Sequence, residues 1–405
     1  MVQGAGEVGG QSAANLGPVL GAILFLTGIF FLSFTARVLI APLLPTLEAD
    51  LGLGHAEAGS LVFFLSVGTF TGFLGSGVVA AHLSYRQTII LSELALGAAL
   101  VAVGLSSSIW GLRLGLLAMG LAGGLYVPSG IAVITNLVGH RHWGKALAIH
   151  ELAPNLGMVA APLAVVVLLG WFSWRGVMLV VGCISLAAGL AFARFGRGGE
   201  FKGRFPSPSV LSDIARQPSF WIMAALISMG IGAEIGVYAM LPLFLVSEHG
   251  LEQTSANLLV ALSRIPGVGI VLLAGWISDR LGLRRALAVF LAASGVTVVL
   301  LGLGPERWLL VMVFLQPAAA ACFFPPALAA LSRIGSPQTR SLRVSLAIAV
   351  SFVVGGGIIP AGIGVVGDMG FFGAGFGAAG GLILLGLILL PGLRLSNPQG
   401  DGGSG

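Results

Sequence analysis

The amino-acid sequence predicts an all-α, polytopic membrane protein with twelve transmembrane helices in two pseudo-twofold-related six-helix bundles. The chain is 57% hydrophobic and only 9% charged, whereas a soluble domain carries about 25% charged residues. Its 405 residues accommodate about twelve spans of roughly 20 residues joined by short loops. Its second half also repeats the first, which indicates two copies of one bundle.

The repeat is visible in glycines and prolines that recur 198 positions apart. The pairs are Gly77 and Gly275, Pro128 and Pro326, Gly157 and Gly355, Pro162 and Pro360, and Gly182 and Gly380. Proline marks a place where a helix bends, and glycine marks a place where a neighbouring helix approaches closely. A constant spacing without gaps therefore predicts that both halves fold alike, with a solute site at their interface.

Twelve apolar segments alternate with short polar breaks. They run near residues 18–44, 58–80, 87–106, 109–137, 146–170, 173–193, 219–246, 256–278, 286–304, 308–332, 344–367 and 371–392. We expect the first bundle over 18–193, a basic cytoplasmic linker over 194–217 and the second bundle over 218–394. The polar ends, 1–17 and 395–405, are expected to be disordered.

The distribution of charge predicts how the helices are oriented. With the N-terminus inside, the inner loops, inner helix ends and C-terminal tail hold 15 of the 20 Lys and Arg residues, namely Arg86, Arg141, Lys145, Arg194, Arg197, Lys202, Arg204, Arg216, Arg280, Arg284, Arg285, Arg333, Arg340, Arg343 and Arg394. The opposite loops carry acids such as Glu48 and Glu252. Positively charged loops stay in the cytoplasm. We therefore expect a multi-pass protein of the plasma (cytoplasmic or inner) membrane with both termini cytoplasmic and the lipid bilayer as a partner.

The sequence argues against several other classes of protein. Its basic residues are spread over loops without interleaved aromatic residues, which argues against nucleic-acid binding. It contains no nucleophile elbow, HExxH, CxxC or phosphate loop, so neither an enzyme nor a cofactor is expected. His140 and His142 provide two of the four ligands that a zinc site needs, so no metal is expected. Cys183 and Cys322 lie in apolar spans and are predicted to be buried free thiols.

One loop carries a specific motif. Between spans eight and nine the chain reads Gly275-Trp-Ile-Ser-Asp279-Arg280-Leu-Gly282-Leu-Arg284-Arg285. This resembles the cytoplasmic loop signature of the major facilitator superfamily, G-x-x-x-D-R-x-G-x-R-R, at every defined position. Twelve spans, the internal repeat and a basic mid-chain linker are also similar to that family, so the resemblance covers nearly the whole chain. It implies a secondary transporter that works by alternating access, and a monomer, the common state in this superfamily.

The resemblance implies a conformational role for the motif. Gly275 would permit close helix contact, Asp279 would accept hydrogen bonds from a neighbouring helix N-terminus, and the arginines would anchor at lipid headgroups. In the family the first-half loop usually carries the stronger signature, and its acid latches the inner side in the outward-facing state. Here Ala81 stands in place of that acid. We therefore expect Asp279 to supply the latch by resting near Lys145 at the start of span five.

Charged residues inside the membrane are the candidates for function. A charge at the bilayer centre costs from about 3 to more than 10 kcal/mol, so such residues usually face a cavity or a partner. Arg37, Glu234 and Arg264 lie near the middle or outer half of spans one, seven and eight, which line the central cavity in the family that the chain resembles. The repeat aligns Arg37 with Ile235, so Arg37 and Glu234 are nearly equivalent across the pseudo-twofold axis. Glu93, on peripheral span three, is interpreted as a packing residue.

Arg37 and Arg264 are the predicted substrate-binding residues, because arginine offers a rigid fork of donors to a carboxylate or phosphate. Glu234 is predicted to carry a proton. Tyr238 lies one turn beyond Glu234 on the same face and is predicted to donate a hydrogen bond to the substrate or to Glu234. The alternative for this group is a structural Arg–Glu ion pair between the bundles.

Further polar residues on cavity spans complete the predicted site. Tyr126, Asn155 and Gln316 are candidates for substrate contact, each with an interhelical hydrogen bond as the alternative role. His150 and Glu151 lie near the inner end of span five and point in different directions, because adjacent helical residues are about 100° apart. One of them is predicted to relay protons to the cytoplasm, with a helix-end charge as the alternative.

The predicted function is symport of a small, monocarboxylate-like organic anion with a proton. Two membrane arginines opposite one central glutamate favour this substrate class. A proton-coupled exporter of drugs or metabolites is the second reading, favoured by the apolar lining. The segment that ends at Pro162 resembles a motif of some drug/proton antiporters. However, the double glycine that follows the proline in that motif is absent here. A sensor or scaffold that keeps the fold without transport is a third reading. Transport direction and sodium coupling stay open.

Overall fold

The computed structural model describes residues 16–203, 208–335 and 339–394. Eleven helices in these ranges are long and apolar enough to cross a membrane: α1 (Gly17–Leu51), α2 (His55–His82), α3 (Tyr85–Leu105), α4 (Ile109–Leu137), α5 (His140–Leu169), α6 (Trp174–Phe195), α7 (Pro218–Ser247), α9 (Leu283–Leu303), α10 (Glu306–Leu331), α11 (Leu342–Asp368) and α12 (Phe372–Gly392). The remaining span, α8, consists of two consecutive helices, Gln253–Ser263 and Ile265–Leu281. The predicted all-α membrane architecture is confirmed. Nearly all of the two ends expected to be disordered lies outside the described residues.

Hydropathy predicts two helix ends and the burial of one cysteine incorrectly. Helix α1 continues to Leu51 and ends at Gly52, which adopts the left-handed conformation with φ of +63°, so the helix is longer than its apolar core. Helix α5 begins at His140 and not near residue 146. Cys183 is exposed on α6 and not buried, because hydropathy alone does not distinguish the outer surface of a membrane helix from its packed face.

Glycines bring helices into direct backbone contact within each six-helix bundle, α1–α6 and α7–α12. In the first bundle, a Cβ atom at Gly124 of α4 would lie 2.5 Å from the carbonyl oxygen of Thr69 on α2. In the second, a Cβ atom at Gly380 of α12 would lie 2.6 Å from the backbone nitrogen of Val299 on α9. Lipid tails are as apolar as leucine, so close packing of small residues is what holds such helices together.

Helices α1, α7 and α8 are irregular where they carry the charged residues predicted to bind solute or a proton, and α5 is likewise interrupted at Glu151. Helix α1 is interrupted at Leu39, two residues after its arginine, and α8 is interrupted at Arg264 itself. Each break precedes a proline, Pro42 or Pro266, whose missing N–H leaves an earlier carbonyl without its helical donor. Helix α7 contains a π-helical turn, Gly232–Gly236, which includes its glutamate. Such irregular turns are frequent at functional sites.

The π-helical turn of α7 packs against a second π-helical turn, Val354–Ile358, in α11. A Cβ atom at Gly236 would lie 2.5 Å from the carbonyl oxygen of Gly355, and one at Gly355 would lie 2.6 Å from the backbone nitrogen of Gly232. The contact therefore requires glycine on both helices. It fixes the position of the turn that carries Glu234.

The chain that follows α6 is bound to the first bundle before it leaves for the second. Residues 199–203 run beside the α2–α3 loop, where the backbone nitrogen of Tyr85 donates to the carbonyl of Phe201 over 3.1 Å. The rings of these two residues also pack edge to face, with centroids 5.0 Å apart. Arg86 forms an ion pair with Glu200 at 3.1 Å. The first part of the predicted linker is therefore a structured segment of the first bundle.

We expect Gly355→Ala to lower the thermal stability of the protein, because its Cβ atom meets the backbone of α7. Overpacking of this kind costs about 1–3 kcal/mol. Thermal unfolding of the purified protein in detergent measures the effect. Gly362→Ala in the same helix is the control, because no atom of the described residues outside its own helical backbone lies within 4 Å of its Cβ position. Equal midpoints for the two variants would contradict the backbone contact.

Candidate functional site

A cavity lies between the two bundles, lined by α1 and α2 on one side and by α7 and α11 on the other. Its polar lining residues are Arg37, Ser66, Thr69 and Tyr238, and the rest of the lining is apolar. The cavity volume is about 40 Å³, enough for a few water molecules but not for a metabolite. Binding of a larger solute therefore requires the bundles to move apart.

Arg37 is the charged residue of this lining. Its Nε atom donates to the carbonyl of Ser33 over 3.3 Å, and its guanidinium lies 5.5 Å from the centre of the Phe34 ring. No hydrogen bond joins its two terminal nitrogens to another residue in the described ranges. These nitrogens are therefore the donors that the cavity offers to an anion.

Arg264 and Glu234 form an ion pair beside the cavity. Nη1 of Arg264 lies 2.6 Å from Oε1 of Glu234, and Nη2 donates to the backbone carbonyl of the same residue over 3.3 Å. The two side chains are 4% and 16% exposed. Within the described ranges, Oε2 of Glu234 and Nε of Arg264 lack a hydrogen-bond partner. Both residues belong to the second bundle, so the pair does not join the two bundles.

The ion pair reaches both the cavity and the first bundle. The guanidinium of Arg264 lies 4.8 Å from the centre of the Tyr238 ring, and Tyr238 lines the cavity. Nη1 of Arg264 also contacts the sulfur of Met158 on α5 at 3.6 Å. The hydroxyl of Tyr238 donates to the carbonyl of Met158 over 3.4 Å. Movement of the bundles therefore changes the surroundings of this pair directly.

The other predicted contact residues of this region are further from the cavity. Gln316 on α10 is fully buried and donates to the carbonyl of Ala233 over 2.6 Å, which supports the turn that carries Glu234. Asn155 is exposed and donates to the carbonyl of Glu151, one turn earlier on α5. Its spacing from Met158 places both on the same face of α5. Asn155 thus lies on the face of α5 that contacts the second bundle.

Tyr126, His150 and Glu151 form a second polar group, inside and at the surface of the first bundle. The hydroxyl of Tyr126 lies 2.6 Å from the carbonyl of Leu26 and 3.2 Å from Nε2 of His150. Phe30 stacks on the rings of Tyr126 and His150, with centroids 5.3 and 4.5 Å away. Nδ1 of His150 lies 3.7 Å from Oε1 of Glu151, whose side chain is 55% exposed. Tyr126 is therefore placed with His150 and not in the cavity.

One carboxylate joins the bundles at the end of the molecule that carries the α1–α2 loop, termed the distal end. Asp368, the last residue of α11, accepts hydrogen bonds from the backbone nitrogens of His55 and Ala56 over 2.6 and 3.0 Å. These are the first residues of α2, where helical N–H groups lack partners and the helix dipole favours negative charge. The ring of His55 is also held by Glu48 of α1 at 2.9 Å.

Two amides of α8 extend the same junction. The side chain of Gln253 accepts from the hydroxyl of Thr46 over 2.8 Å and donates to the carbonyl of Pro42 over 2.9 Å. Asn257 donates to the same carbonyl over 3.2 Å. The bundles are therefore connected by hydrogen bonds at the distal end.

The loop motif lies at the opposite end, termed the linker end. Gly282 has φ of +80°, a conformation that explains why glycine stands there. Arg280 lies 4.0 Å from the centre of the Trp276 ring. Arg284 donates to the backbone carbonyl of Leu393 beside α12. Arg284 thereby ties two helices of its own bundle together, while the expected anchoring of the motif arginines at lipid headgroups stays a prediction.

The remaining motif residues make no such contacts in this conformation. Asp279 and Arg285 are exposed, and no hydrogen bond or ion pair joins Asp279 to another described residue. No described atom lies within 4 Å of the Cβ position of Gly275, so the expected close helix contact is not formed here. The predicted latch near Lys145 concerns a different conformation and stays a prediction.

Several residues of the site were not singled out by the sequence analysis. Ser66 and Thr69 line the cavity, and the internal repeat aligns Ser66 with Arg264, a signal that was available in the sequence. Met158 contacts Arg264 but has no polar group to indicate it. Asp368 is the one charged residue between spans eleven and twelve, yet its partner is backbone, which no sequence pattern reveals.

The sequence matches a known family over nearly its whole length. Residues 25–305 and 233–404 match the Major Facilitator Superfamily. The chain is 26% identical over 372 residues, 87% of this chain and 86% of the relative, to the probable 4-methylmuconolactone transporter of Cupriavidus pinatubonensis. It is 24% identical over 325 residues, 69% of each chain, to the probable hexose phosphate transport protein of Chlamydia pneumoniae.

The fold also matches a solved structure. The crystal structure of a bacterial homologue of the human lysosomal transporter Spinster, in an inward-facing and occupied conformation, superposes with a TM-score of 0.77. The match covers 94% of this chain and 96% of the other, with 16% sequence identity. At that identity the likeness concerns the fold alone.

We expect Asp368→Asn to separate the bundles at the distal end, because it removes the charge that binds the start of α2. Double electron–electron resonance measures the distance between spin labels at Ser107 and Arg307, which are exposed in distal loops of the two bundles. The labels are attached to cysteines introduced in a background without Cys183 and Cys322. The distribution is expected to shift to longer distances. Asp50→Asn is the control, because Asp50 binds Trp174 and Arg175 within the first bundle. An unchanged distribution would show that Asp368 does not hold the bundles.

Proposed function

The chain belongs to the Major Facilitator Superfamily, and we propose that it carries a small organic anion together with a proton by alternating access. The chain is a multi-pass membrane transporter of small solutes and not an enzyme. The preferred substrate class is monocarboxylate-like. The observation that carries this proposal is Arg37, whose guanidinium lines the cavity with both terminal nitrogens free of hydrogen bonds to the described residues.

The substrate anion is bound by arginines of the two bundles. Arg37 comes from the first bundle, and Arg264 from the second bundle lies behind Tyr238. An arginine fork binds a carboxylate or phosphate with two parallel hydrogen bonds. A hexose phosphate, the solute named for one relative, is likewise an anion. Tyr238 supplies a neutral donor in the cavity, while Gln316 and Asn155 act through the helices that carry the site.

Glu234 is the proposed proton carrier beside the substrate. Its Oε1 atom is bound by Arg264, and Oε2 has no partner in the described ranges. An anion that approaches Arg264 competes with Glu234 for the guanidinium. The carboxylate that loses this partner is stabilised by taking up a proton, because an unpaired buried charge is costly. Anion binding and protonation therefore favour each other.

His150 and Glu151 form the proposed proton relay to the cytoplasm. The carbonyl of Leu26 only accepts, so the hydroxyl hydrogen of Tyr126 is committed to it, and the hydroxyl oxygen accepts from Nε2–H of His150. Nδ1 of His150 then carries a hydrogen only when the ring is charged. The carboxylate facing Nδ1 is that of Glu151, which stabilises this charged ring and is itself open to solvent.

We propose that the linker end faces the cytoplasm of a plasma or inner membrane, since the loops there hold most of the basic residues. The distal end then faces outward, and the hydrogen bonds of Asp368 belong to a conformation that is closed to the outside. The transporter is proposed to act as a monomer, because the cavity between its own bundles supplies the whole site.

Two alternative functions would give different results in transport and binding experiments. A proton-coupled exporter of drugs or metabolites is favoured by the mostly apolar lining of the cavity. It would release cationic dyes from vesicles. A sensor or scaffold with the same fold would show no flux of any solute and would bind a partner protein in a ligand-dependent manner.

We expect purified protein in proteoliposomes to accumulate a labelled monocarboxylate when the outside is acidic. Arg264→Ala and Arg37→Ala are each expected to reduce this uptake at least about tenfold, since loss of one partner of a buried charged contact costs about 2–5 kcal/mol. Arg113→Ala is the matched control, because Arg113 lies outside the cavity on Trp110, 4.8 Å from the ring centre. Uptake that persists in both cavity variants would contradict the proposed anion site.

We expect His150→Phe to abolish proton-driven accumulation while retaining exchange of labelled for unlabelled substrate. Phenylalanine preserves the stacking on Phe30 but carries no proton, and exchange requires no net proton transfer. Comparison of driven uptake with counterflow in the same vesicles measures the split. His140→Phe, which changes a histidine that packs at a tilt against Trp143 outside the bundle interior, is the control. Equal loss of both activities would show that His150 is structural.

A further inference from the structure

One hydroxyl group at the cavity has no hydrogen-bond partner among the described residues. It belongs to Ser66 on α2, which is 5% exposed and lines the cavity. Hydroxyl groups in membrane helices commonly bond to a backbone carbonyl of their own helix. The other hydroxyl groups of α2 all bond to backbone carbonyls, namely those of Ser60, Thr69, Thr71 and Ser76. Because an unpaired buried hydroxyl group is costly, the exception at Ser66 indicates a group that awaits a ligand.

Ser66 and Arg37 are on walls of the same small cavity. The side chain of Arg37 is held by α1 and α4: its Nε atom donates to the carbonyl of Ser33, and a Cβ atom at Gly123 would lie 2.6 Å from its Cδ and Nε atoms. The cavity volume is about 40 Å³, so the walls are only a small solute apart. An anion bound to the guanidinium therefore lies within reach of the Ser66 hydroxyl group.

The internal repeat shows which side chain the position of Ser66 can reach. It aligns Ser66 of α2 with Arg264 of α8. Arg37 of α1 aligns with Ile235 of α7, the neighbour of Glu234. In the second bundle, Arg264 binds the carboxylate of Glu234 across the two helices at 2.6 Å. In the first bundle the equivalent position holds a short, uncharged serine, which leaves the charge of Arg37 to a solute.

Glycines of α11 keep the space in front of Ser66 open. A Cβ atom at Gly356, which lines the cavity, would lie 3.3 Å from Oγ of Ser66. One at Gly357 would lie 3.0 Å from Cβ of the same residue. Larger side chains at these positions would fill the space beside the hydroxyl group. The π-helical turn of α11 therefore leaves this group accessible to a solute between the bundles.

We propose that Ser66 is a substrate-binding residue, which donates its hydroxyl hydrogen to the anion that Arg37 holds. This inference rests on the proposed function and adds a residue of α2 to its anion site. The bound anion receives two hydrogen bonds from the guanidinium and one from the hydroxyl group. Serine at this position also sets the charge of the site. Because Arg264 is paired with Glu234, the positive charge offered to the solute is that of Arg37, which matches a monovalent anion.

The test is the effect of Ser66→Ala on transport and on stability. Labelled pyruvate is the monocarboxylate probe, taken up by proteoliposomes with an acidic outside. We expect Ser66→Ala to raise the KM for pyruvate about tenfold or more, because a hydrogen bond to a charged group is lost. The thermal midpoint of the substrate-free variant is expected to equal or exceed that of the wild type, since the deleted hydroxyl group had no partner.

Ser76→Ala is the matched control, and it is expected to show the opposite pattern. Ser76 is a buried residue of the same helix, 1% exposed, and its hydroxyl group donates to the carbonyl of Leu125 on α4 over 3.3 Å. Its loss is expected to lower the thermal midpoint and to leave KM unchanged. If Ser66→Ala leaves KM unchanged, with or without a lower midpoint, Ser66 does not bind the substrate and the proposal is wrong.

A second measurement does not depend on the substrate. Ser66→Glu places a carboxylate opposite Arg37, and Ser66→Gln has the same shape without the charge. Thermal midpoints of both variants, with and without Arg37→Gln, form a cycle that reports the coupling of the two positions. We expect the glutamate variant to have a higher midpoint than the glutamine variant only when Arg37 is present.

The cycle separates the two proposals. An equal difference between glutamate and glutamine in both backgrounds would show that position 66 does not reach Arg37, and would overturn the role of Ser66. If the wild type accumulates no pyruvate but the cycle shows coupling, the proposed substrate class has failed, and the place of Ser66 beside the charge held by Arg37 stands.

Discussion

The low polarity of the membrane interior is the constraint on which this structure depends. Charged groups within a membrane helix must find a partner or water inside the protein, and backbone groups released from a helix need the same. Arg264 and Glu234 neutralise each other's charge in an ion pair, and Arg37 lies at the cavity. For the same reason, when one of these residues loses its partner, a solute or a proton must take that partner's place.

Helix irregularities and glycines place these charges where they are. Arg37 lies two residues before the break of α1, Arg264 lies at the break of α8, and Glu234 lies in the π-helical turn of α7. Backbone contact through Gly355 fixes that turn against α11, and Gly123 makes room for Arg37 on α4. The glycine-rich composition is therefore more than a feature of helix packing, since particular glycines determine where the charged side chains reach.

The fold and the charged centre could be predicted from sequence, but the partners of individual side chains could not. Composition and the repeat of 198 residues indicate the helices and the bundles, because hydropathy and helix packing act over long segments. Arg37, Glu234 and Arg264 are conspicuous because charge is rare in such segments. Tyr126 was predicted to contact the substrate but lies beside His150, because sequence gives the helix of a residue but not its rotation. Contacts to backbone, such as those of Asp368, leave no pattern in the partner's side chains.

The binding of residues 199–203 to the α2–α3 loop bears on how the two halves of the transporter are mechanically joined. Glu200 and Phe201 are attached to Arg86 and Tyr85, so this stretch travels with the first half as part of one solid body. The attachment extends to Gly203, whose backbone nitrogen donates to the carbonyl of Ala80 over 2.7 Å. The covalent connection between the two halves is consequently shorter than the basic segment 194–217 that the sequence suggests.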